Sequence, residues 1–314
     1  MKRRNAILAI GTIGASTAIS NELQANILVK KRPPFTYCLN TSTISGQKQG
    51  IVKYIEITAK AGYEGIELWI NDIREYLKNG NKLSELAKII ASSGLKVENA
   101  IGFAPWMVDD NEKRKLGLIQ LEEEMNMLAA LGGKRIAAPP AGVPKDQPID
   151  WLKAGYRYKE ALDLSRKTGV MPQLEFWGAS GTLFHLSQAM AIATAANDSD
   201  ARLLPDVYHL FRGGSGFDCL NMISGNTIEI FHFNDYVAHI PQEKQTDNDR
   251  VYPGDGIAPW SKIIPVLNSM HSPKVLSLEL FNREYWKQDP LEVAKTGLLK
   301  MKKLVDTAGK TTTE

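Results

Sequence analysis

The sequence predicts a single-domain (β/α)8 TIM barrel, and three observations carry that prediction. Beyond residue 32, short β-prone runs alternate with segments of helical period. Strict alternation implies parallel strands joined by crossovers, and the strand-like runs number eight, which is the number that closes such a barrel. No Gly-rich phosphate loop follows the first of them, so a dinucleotide-binding fold is the weaker reading. With 314 residues, 43% hydrophobic and 23% charged, the chain has enough apolar material for a large core, which excludes a largely disordered protein.

The elements follow in order. The first strand is expected at FTYCLN (35–40), an aromatic-rich run, and GIVKYIEITAKAG (50–62) behind it has apolar residues at helical spacing and a terminal glycine suited to a helix C-cap. GIELWI (65–70) is the second strand. KLSELAKIIASSG (82–94) is a helix ending on glycine, and LKVENAIGF (95–103) the third strand. The helix KLGLIQLEEEMNMLAALGG (115–133) leads to KRIAAPP (134–140), whose two prolines stop the strand. WLKAGYRYKEALDLSRKTG (151–169) is a helix with basic residues in its last turn, and MPQLEFW (171–177) the fifth strand. ARLLPDVYH (201–209), IEIFHFND (228–235) and VLSLELFN (275–282) complete the set, and PLEVAKTGLLKMKKLVDTAG (290–309) opens on proline and closes the chain as a helix. The barrel is placed at 33–308, followed by a tail at 309–314, with no linker dividing it.

The beginning of the chain reads as an address. MKRRN is basic, AILAIGTIGASTAI is a short apolar run and SNELQA ends on a small residue, the pattern of a cleavable export signal with a short linker over 1–32. The apolar run is shorter than the roughly 20 residues a membrane span needs, so no stable span is expected once the signal is cleaved. The Arg3, Arg4 pair resembles a twin-arginine signal, and the expected location is periplasmic; export of a reporter fused to residues 1–32 tests it. Those first 32 residues hold six Lys/Arg and one Glu, which leaves 32 basic and 34 acidic groups in the body. A nearly neutral body offers no electrostatic footprint for nucleic acid. Two cysteines, Cys38 and Cys219, exclude a disulfide framework and a cysteine metal site, and no bridge between them is expected.

Polar residues at the ends of apolar strands carry the functional signal, because the active face of such a barrel is where the strands end. These are Glu67, Glu175, Asp206, His232 and Glu279, the last four from successive strands. Each alone has an ordinary explanation: a paired or protonated core acid for Glu175 and Glu279, a loop or cap residue for Asp206, a hydrogen-bonded core histidine for His232. Together they favour a common counter-charge. One divalent cation satisfies three carboxylates and an imidazole at once, and a donor set without thiolate suits Mn²⁺ first, with Mg²⁺, Co²⁺, Fe²⁺ and Zn²⁺ as alternatives.

LEFW, LPDVYH, IFHFND with RVYPGDG, and SLELF, in this order, resemble the xylose-isomerase-like superfamily of sugar isomerases and epimerases, including ketose 3-epimerases, hydroxypyruvate isomerases and inosose-processing enzymes. The resemblance runs from about residue 35 to 305. It implies that Glu175, Asp206, His232 and Glu279 are the metal ligands and that Glu175 and Glu279 are the acid/base pair. It further implies substrate contacts for His209, three residues after Asp206, and for Arg250. Trp177 and Trp106 are expected as apolar walls for sugar faces, Glu67 as a substrate residue or a partner of a neighbouring strand, Asp235 as the residue orienting His232, and His185 as a weaker candidate.

Those residue types suit proton transfer next to a carbonyl, which needs a Lewis acid for the enediolate oxygens together with an acid and a base. The expected function is therefore a metal-dependent isomerase or epimerase of a carbohydrate. A lyase or dehydratase on a keto-sugar, keto-glycoside or inosose uses the same groups, and a sugar-binding protein without turnover is the non-enzymatic alternative. A superfamily DNA-repair nuclease is disfavoured, since it needs more histidines than the five present and a basic groove. Homo-oligomers are compatible with everything above.

Overall fold

The computed structural model describes residues 35–310, so the expected export signal lies outside the described residues. Eight parallel strands form the barrel wall: β1 (Phe35–Asn40), β2 (Gly65–Trp69), β3 (Lys96–Ile101), β4 (Arg135–Ala138), β5 (Met171–Glu175), β6 (Leu203–Leu204), β7 (Ile230–His232) and β8 (Lys274–Leu278). Pairing of β1 with both β2 and β8 joins the first and last strands in one sheet. The strands run in order β3-β2-β1-β8-β7 in one sheet and β4-β5-β6 in the other. Two isolated parallel bridges, Leu203 to Ile228 and Asp206 to His232, join β6 to β7.

Nine helices of six residues or more surround the strands among the described residues: α1 (Ile51–Ala61), α2 (Ile70–Lys78), α3 (Leu83–Ser93), α4 (Asn111–Ala130), α5 (Trp151–Thr168), α6 (Leu186–Ala195), α7 (Val207–Arg212), α8 (Trp260–Ser269) and α9 (Pro290–Lys310). Gly62, Gly94 and Gly169 end α1, α3 and α5 at φ near +89°, +75° and +74°, a conformation that costs a residue with a Cβ about 1 kcal/mol or more. Gly309 does not cap α9, which runs through it to Lys310. Most strands are shorter than the expected runs, β7 covering 230–232 of 228–235 and β8 ending at 278 rather than 282, and two further boundaries differ for a local reason. Helix α4 begins at Asn111, four residues before 115, because the Asp110 side chain accepts a hydrogen bond from the Lys113 amide. The sixth strand is two residues long, since Val207, Tyr208 and His209 are the first turn of α7, with Asp206 as its N-cap.

The interior of the barrel is layered. Alternate residues on a strand face the same side, so successive inward positions lie at successive heights. At the N-terminal end Arg135 pairs with Glu98 at 3.1 Å and with Glu229, and Arg202 pairs with Glu229 at 3.0 Å. Above this lies a small apolar layer of Cys38, Ala137, Leu204, Ile230 and Val275, packed with Ile101 and Trp69. The next inward positions are polar: Asn40, Glu175, Asp206, His232 and Ser277 stand two residues beyond Cys38, Gln173, Leu204, Ile230 and Val275 respectively. The larger apolar core lies between the strands and the helices. Cys38 and Cys219 are both free thiols. Among the described residues no helix is long and apolar enough to cross a membrane.

Candidate metal centre and substrate cavity

His232 ends β7 with no exposed surface, and its two ring nitrogens have different surroundings. Nε2 lies 3.0 Å from Glu67 Oε1. Nδ1 has no well-aligned hydrogen-bond partner among the described residues, and lies 3.2 Å from Glu279 Oε2 and 3.6 Å from Asp206 Oδ2. A proton on Nε2, donated to Glu67, leaves the Nδ1 lone pair directed at the two carboxylates. Ligand atoms of Asp206, His232 and Glu279 all lie within 4.8 Å of one another. One nitrogen and two carboxylate oxygens, with a buried nitrogen otherwise unpaired, fit a divalent ion. Burial opposes a charged His232, but Glu279 and Glu67 outweigh it and hold the imidazole pKa well above its ordinary value, so without an ion Nδ1 also carries a proton toward the carboxylates, and a cation bound there would take that proton's place.

Each of these groups is placed by its element. Asp206 Oδ1 accepts the His209 amide at 2.9 Å and caps α7, while Oδ2 accepts from Asn234 Nδ2 at 2.8 Å and from Arg250 Nη1 at 3.1 Å. The cap explanation and the ligand explanation of Asp206 thus apply to different oxygens of one carboxylate. Burial would raise the Asp206 pKa, but Arg250 and His209 hold it far below the ordinary carboxyl value. Glu279 follows β8; its Oε1 accepts from Asn40 Nδ2 at 3.0 Å and its Oε2 from Arg250 Nη1 at 2.8 Å.

Glu175 ends β5 and lines the same cavity, but stands outside that group of three residues, although the resemblance implied it as a fourth ligand. Its carboxyl has no hydrogen-bond partner among the described residues. Burial pushes its pKa up to about 8, with Glu279 and Asp206 adding to the push and His232 opposing it.

A cavity of about 470 Å³ opens above these groups, a volume in the range of small-molecule sites. Glu175, Glu279, His209 and Arg250 line it together with Trp177, as expected from the sequence. Trp69, Phe103 and Phe281 join Trp177 as the apolar wall, with ring centroids 5.6 Å apart for Trp69 and Phe103, 6.0 Å for Trp69 and Phe281, and 6.2 Å for Phe103 and Trp177. His209 Nδ1 accepts the Gly178 amide at 3.2 Å, which places the single proton of the neutral ring on Nε2. Burial keeps that ring neutral by lowering its pKa, with Arg250 adding to the effect against Asp206.

Several expectations are corrected. Glu67 does not reach the cavity: fully buried, its carboxylate takes Asn40 Nδ2 at 2.9 Å, Asn99 Nδ2 at 2.6 Å, Ser277 Oγ at 2.6 Å and His232 Nε2. It therefore holds the position assigned to Asp235. Asp235 instead binds the amides of Tyr236, Gly254 and Ala258 and the Trp260 indole at 2.8–2.9 Å, because its side chain turns outward onto the loop after β7. Trp106 is core, 1% exposed, and donates to the Pro139 carbonyl at 3.0 Å. His185 caps α6. Asn40, Asn234 and Asp247 were not singled out from the sequence; Asn40 and Asn234 carried the same signal, a polar residue closing an apolar run, whereas Asp247 sits in a polar loop that gives none.

A family described as xylose isomerase-like TIM barrel matches residues 55–304. An inosose isomerase of Bacillus velezensis is 28% identical over 264 residues, covering 82% of this chain and 93% of that protein. One of Bacillus licheniformis is 29% identical over 269 residues, covering 82% and 94%. The solved structure of the IolI protein with a bound zinc atom superposes with a TM-score of 0.79 at 24% identity, over 87% of this chain and 99% of that one.

Proposed function

The chain belongs to the xylose isomerase-like TIM barrel family, and from that premise we propose that it is a metal-dependent isomerase or epimerase of a keto-sugar or cyclic keto-polyol. The observation that carries this is the His232 ring: one nitrogen is tied to Glu67 and the other is left free beside Asp206 and Glu279. The inosose isomerases among its relatives support a cyclic or open-chain polyol bearing a ketone as the substrate class.

Asp206, His232 and Glu279 would hold a divalent ion, which would supply the positive charge that an enediolate needs. The rest is done by the chain. Glu175 and Glu279 approach from β5 and β8, two sides of the cavity, and move a proton off and onto the carbon beside the carbonyl. Burial pushes the metal-free Glu175 carboxyl up to about 8, and a nearby cation would lower it from there toward neutrality, the range suited to proton exchange. His209 Nε2–H and the Arg250 guanidinium donate to substrate oxygens, and the aromatic wall covers the C–H faces and excludes water.

The test is to incubate Mn²⁺-loaded protein with ketoses, keto-glycosides and inososes in D₂O and follow carbon-bound deuterium and products by NMR. Exchange next to the carbonyl, abolished in Glu175→Gln, is expected from at least one of them. Elimination of a substituent would move the reaction to the lyase class. A metal-loaded protein that exchanges no carbon-bound hydrogen on any of them would sink the proposal.

A further inference from the structure

Two cations claim the same two oxygens. Arg250 Nη1 lies 3.1 Å from Asp206 Oδ2 and 2.8 Å from Glu279 Oε2, the oxygens that face His232 Nδ1. The guanidinium is 1% exposed and lies over the rings of Tyr208 and Phe281, 4.6 and 5.1 Å from their centroids. Two buried carboxylates beside each other need a positive neighbour, and Arg250 supplies it.

The guanidinium is nonetheless held unevenly. Its Nε has no hydrogen-bond partner among the described residues. Its Nη2 lies 3.2 Å from His209 Nε2, the nitrogen that carries the proton when Nδ1 accepts from Gly178, so there two donors face each other. The remaining acceptor is Asp247, on the one-turn 3-10 segment Asp247–Asp249, with its side chain half-exposed at the cavity rim.

We infer that Arg250 is a counter-cation in competition with the divalent ion for Asp206 and Glu279, and that Asp247 is the station that keeps the guanidinium when the ion takes those oxygens. The inference rests on the proposed metal site. Like charges a few ångströms apart in a buried cavity repel strongly, so the ion and Nη1 cannot both sit against the same two oxygens at full strength. The loop that begins at Arg250 is thereby coupled to metal loading: the ion turns the guanidinium from the carboxylates toward Asp247 and the substrate oxygens.

The experiment is calorimetric titration of Mn²⁺ alone into the chelator-treated full chain. Arg250→Gln should bind the ion at least about tenfold more tightly than wild type, since a competing charge is removed. Asp247→Asn should bind it about threefold or more weakly, because the outer hold on the guanidinium is lost. In an Arg250→Gln background the Asp247→Asn effect should vanish, which is the signature of action through Arg250 rather than of a direct charge effect. Circular dichroism checks each variant for folding, and Arg250→Met, which likewise removes the charge and is expected to tighten binding in the same way, replaces Arg250→Gln if that variant does not fold. Equal or weaker binding by Arg250→Gln, or an undiminished Asp247→Asn effect in the double variant, overturns the inference while the metal site stands. A wild-type chain that takes up no ion overturns both.

Discussion

At the scale of single residues, Glu67 decides which way His232 works. Its four acceptor contacts, from Asn40, Asn99, Ser277 and His232, use its lone pairs fully and leave nothing for a substrate. Burial raises its pKa, but the imidazole and these hydrogen bonds more than reverse that and keep it below the ordinary value. A carboxylate on the far nitrogen fixes the tautomer and makes the near nitrogen a better ligand, an arrangement whose loss typically costs 10–100-fold in metal affinity. Glu67→Gln is therefore expected to weaken Mn²⁺ binding by about that factor, because the charge is lost and the amide nitrogen replaces an oxygen that accepts two of the four contacts. Calorimetry of wild type and variant checks it, and equal affinities would show that Nδ1 needs no help from Glu67. The sequence singled out Glu67 as readily as Glu175, since both sit in apolar strands. The difference is depth: β2 continues to Trp69, which lines the cavity and bonds Asn40 Oδ1 at 2.8 Å, so Glu67 lies one inward position lower.

At the scale of elements, the segment after β7 shows how a loop can be built from a strand end. Asp235 pairs with Val251 as an antiparallel bridge and binds the amides of Gly254 and Ala258 and the Trp260 indole. A Cβ on Gly256 would stand 2.2 Å from the Tyr236 carbonyl and 2.3 Å from Asp235 Oδ1, so the turn closes only with glycine there. Arg250 stands at the start of this turn, and its carbonyl accepts from Asn282 Nδ2 at 2.9 Å. Asp235→Ala should cost about 3 kcal/mol in urea unfolding, the scale of a lost buried group with several charged hydrogen bonds, and should leave Mn²⁺ affinity near wild type because Asp235 does not touch His232. A large loss of affinity without loss of stability would return Asp235 to the side of the histidine.

The elements legible in the sequence are those with a clean period and a stop: α1, α3 and α5 end on their glycines, and β1 runs over the expected residues. Those missed lack one or the other. Helix α2 follows β2 without a break, α6 is apolar on most of its faces, and α8 carries Pro265 inside it. The candidate ligands were legible because a carboxylate or imidazole ending an apolar strand is costly to bury alone. Their partners were not, since Glu67 and His232 are 165 residues apart and meet only once the barrel closes.

At the scale of the whole molecule, the polar layer makes stability depend on pH, and the sign can be worked out. Glu175 has its carboxyl raised from 4.5 to about 8, so between those values the folded chain keeps a proton that the unfolded chain has released. Stability of the metal-free protein then falls as pH rises, by up to about 1.4 kcal/mol per unit from this one group. His232 is also raised, from 6.5, and acts in the same direction but only above that value, where the unfolded imidazole loses its proton. Asp206 is lowered and has the opposite sign, stabilising the fold above pH 3.8 and losing that contribution as pH falls. The window from about pH 5 to 6.5 therefore isolates Glu175 from both. Asp72, raised from 3.8 to about 6, and Glu124, also raised, act in the same direction there, and His209, lowered from 6.5, opposes them, but all three contribute to wild type and to a Glu175 variant alike. Glu175→Gln should flatten the decline of urea-unfolding stability across that window relative to wild type, measured without metal. Parallel curves would mean that Glu175 is already ionised in the folded chain, and the proton exchanged at the substrate carbon would then have to be held by another group. Adding Mn²⁺ should reverse the slope, because bound ligands must be deprotonated and the ion's hold on the fold strengthens as protons leave.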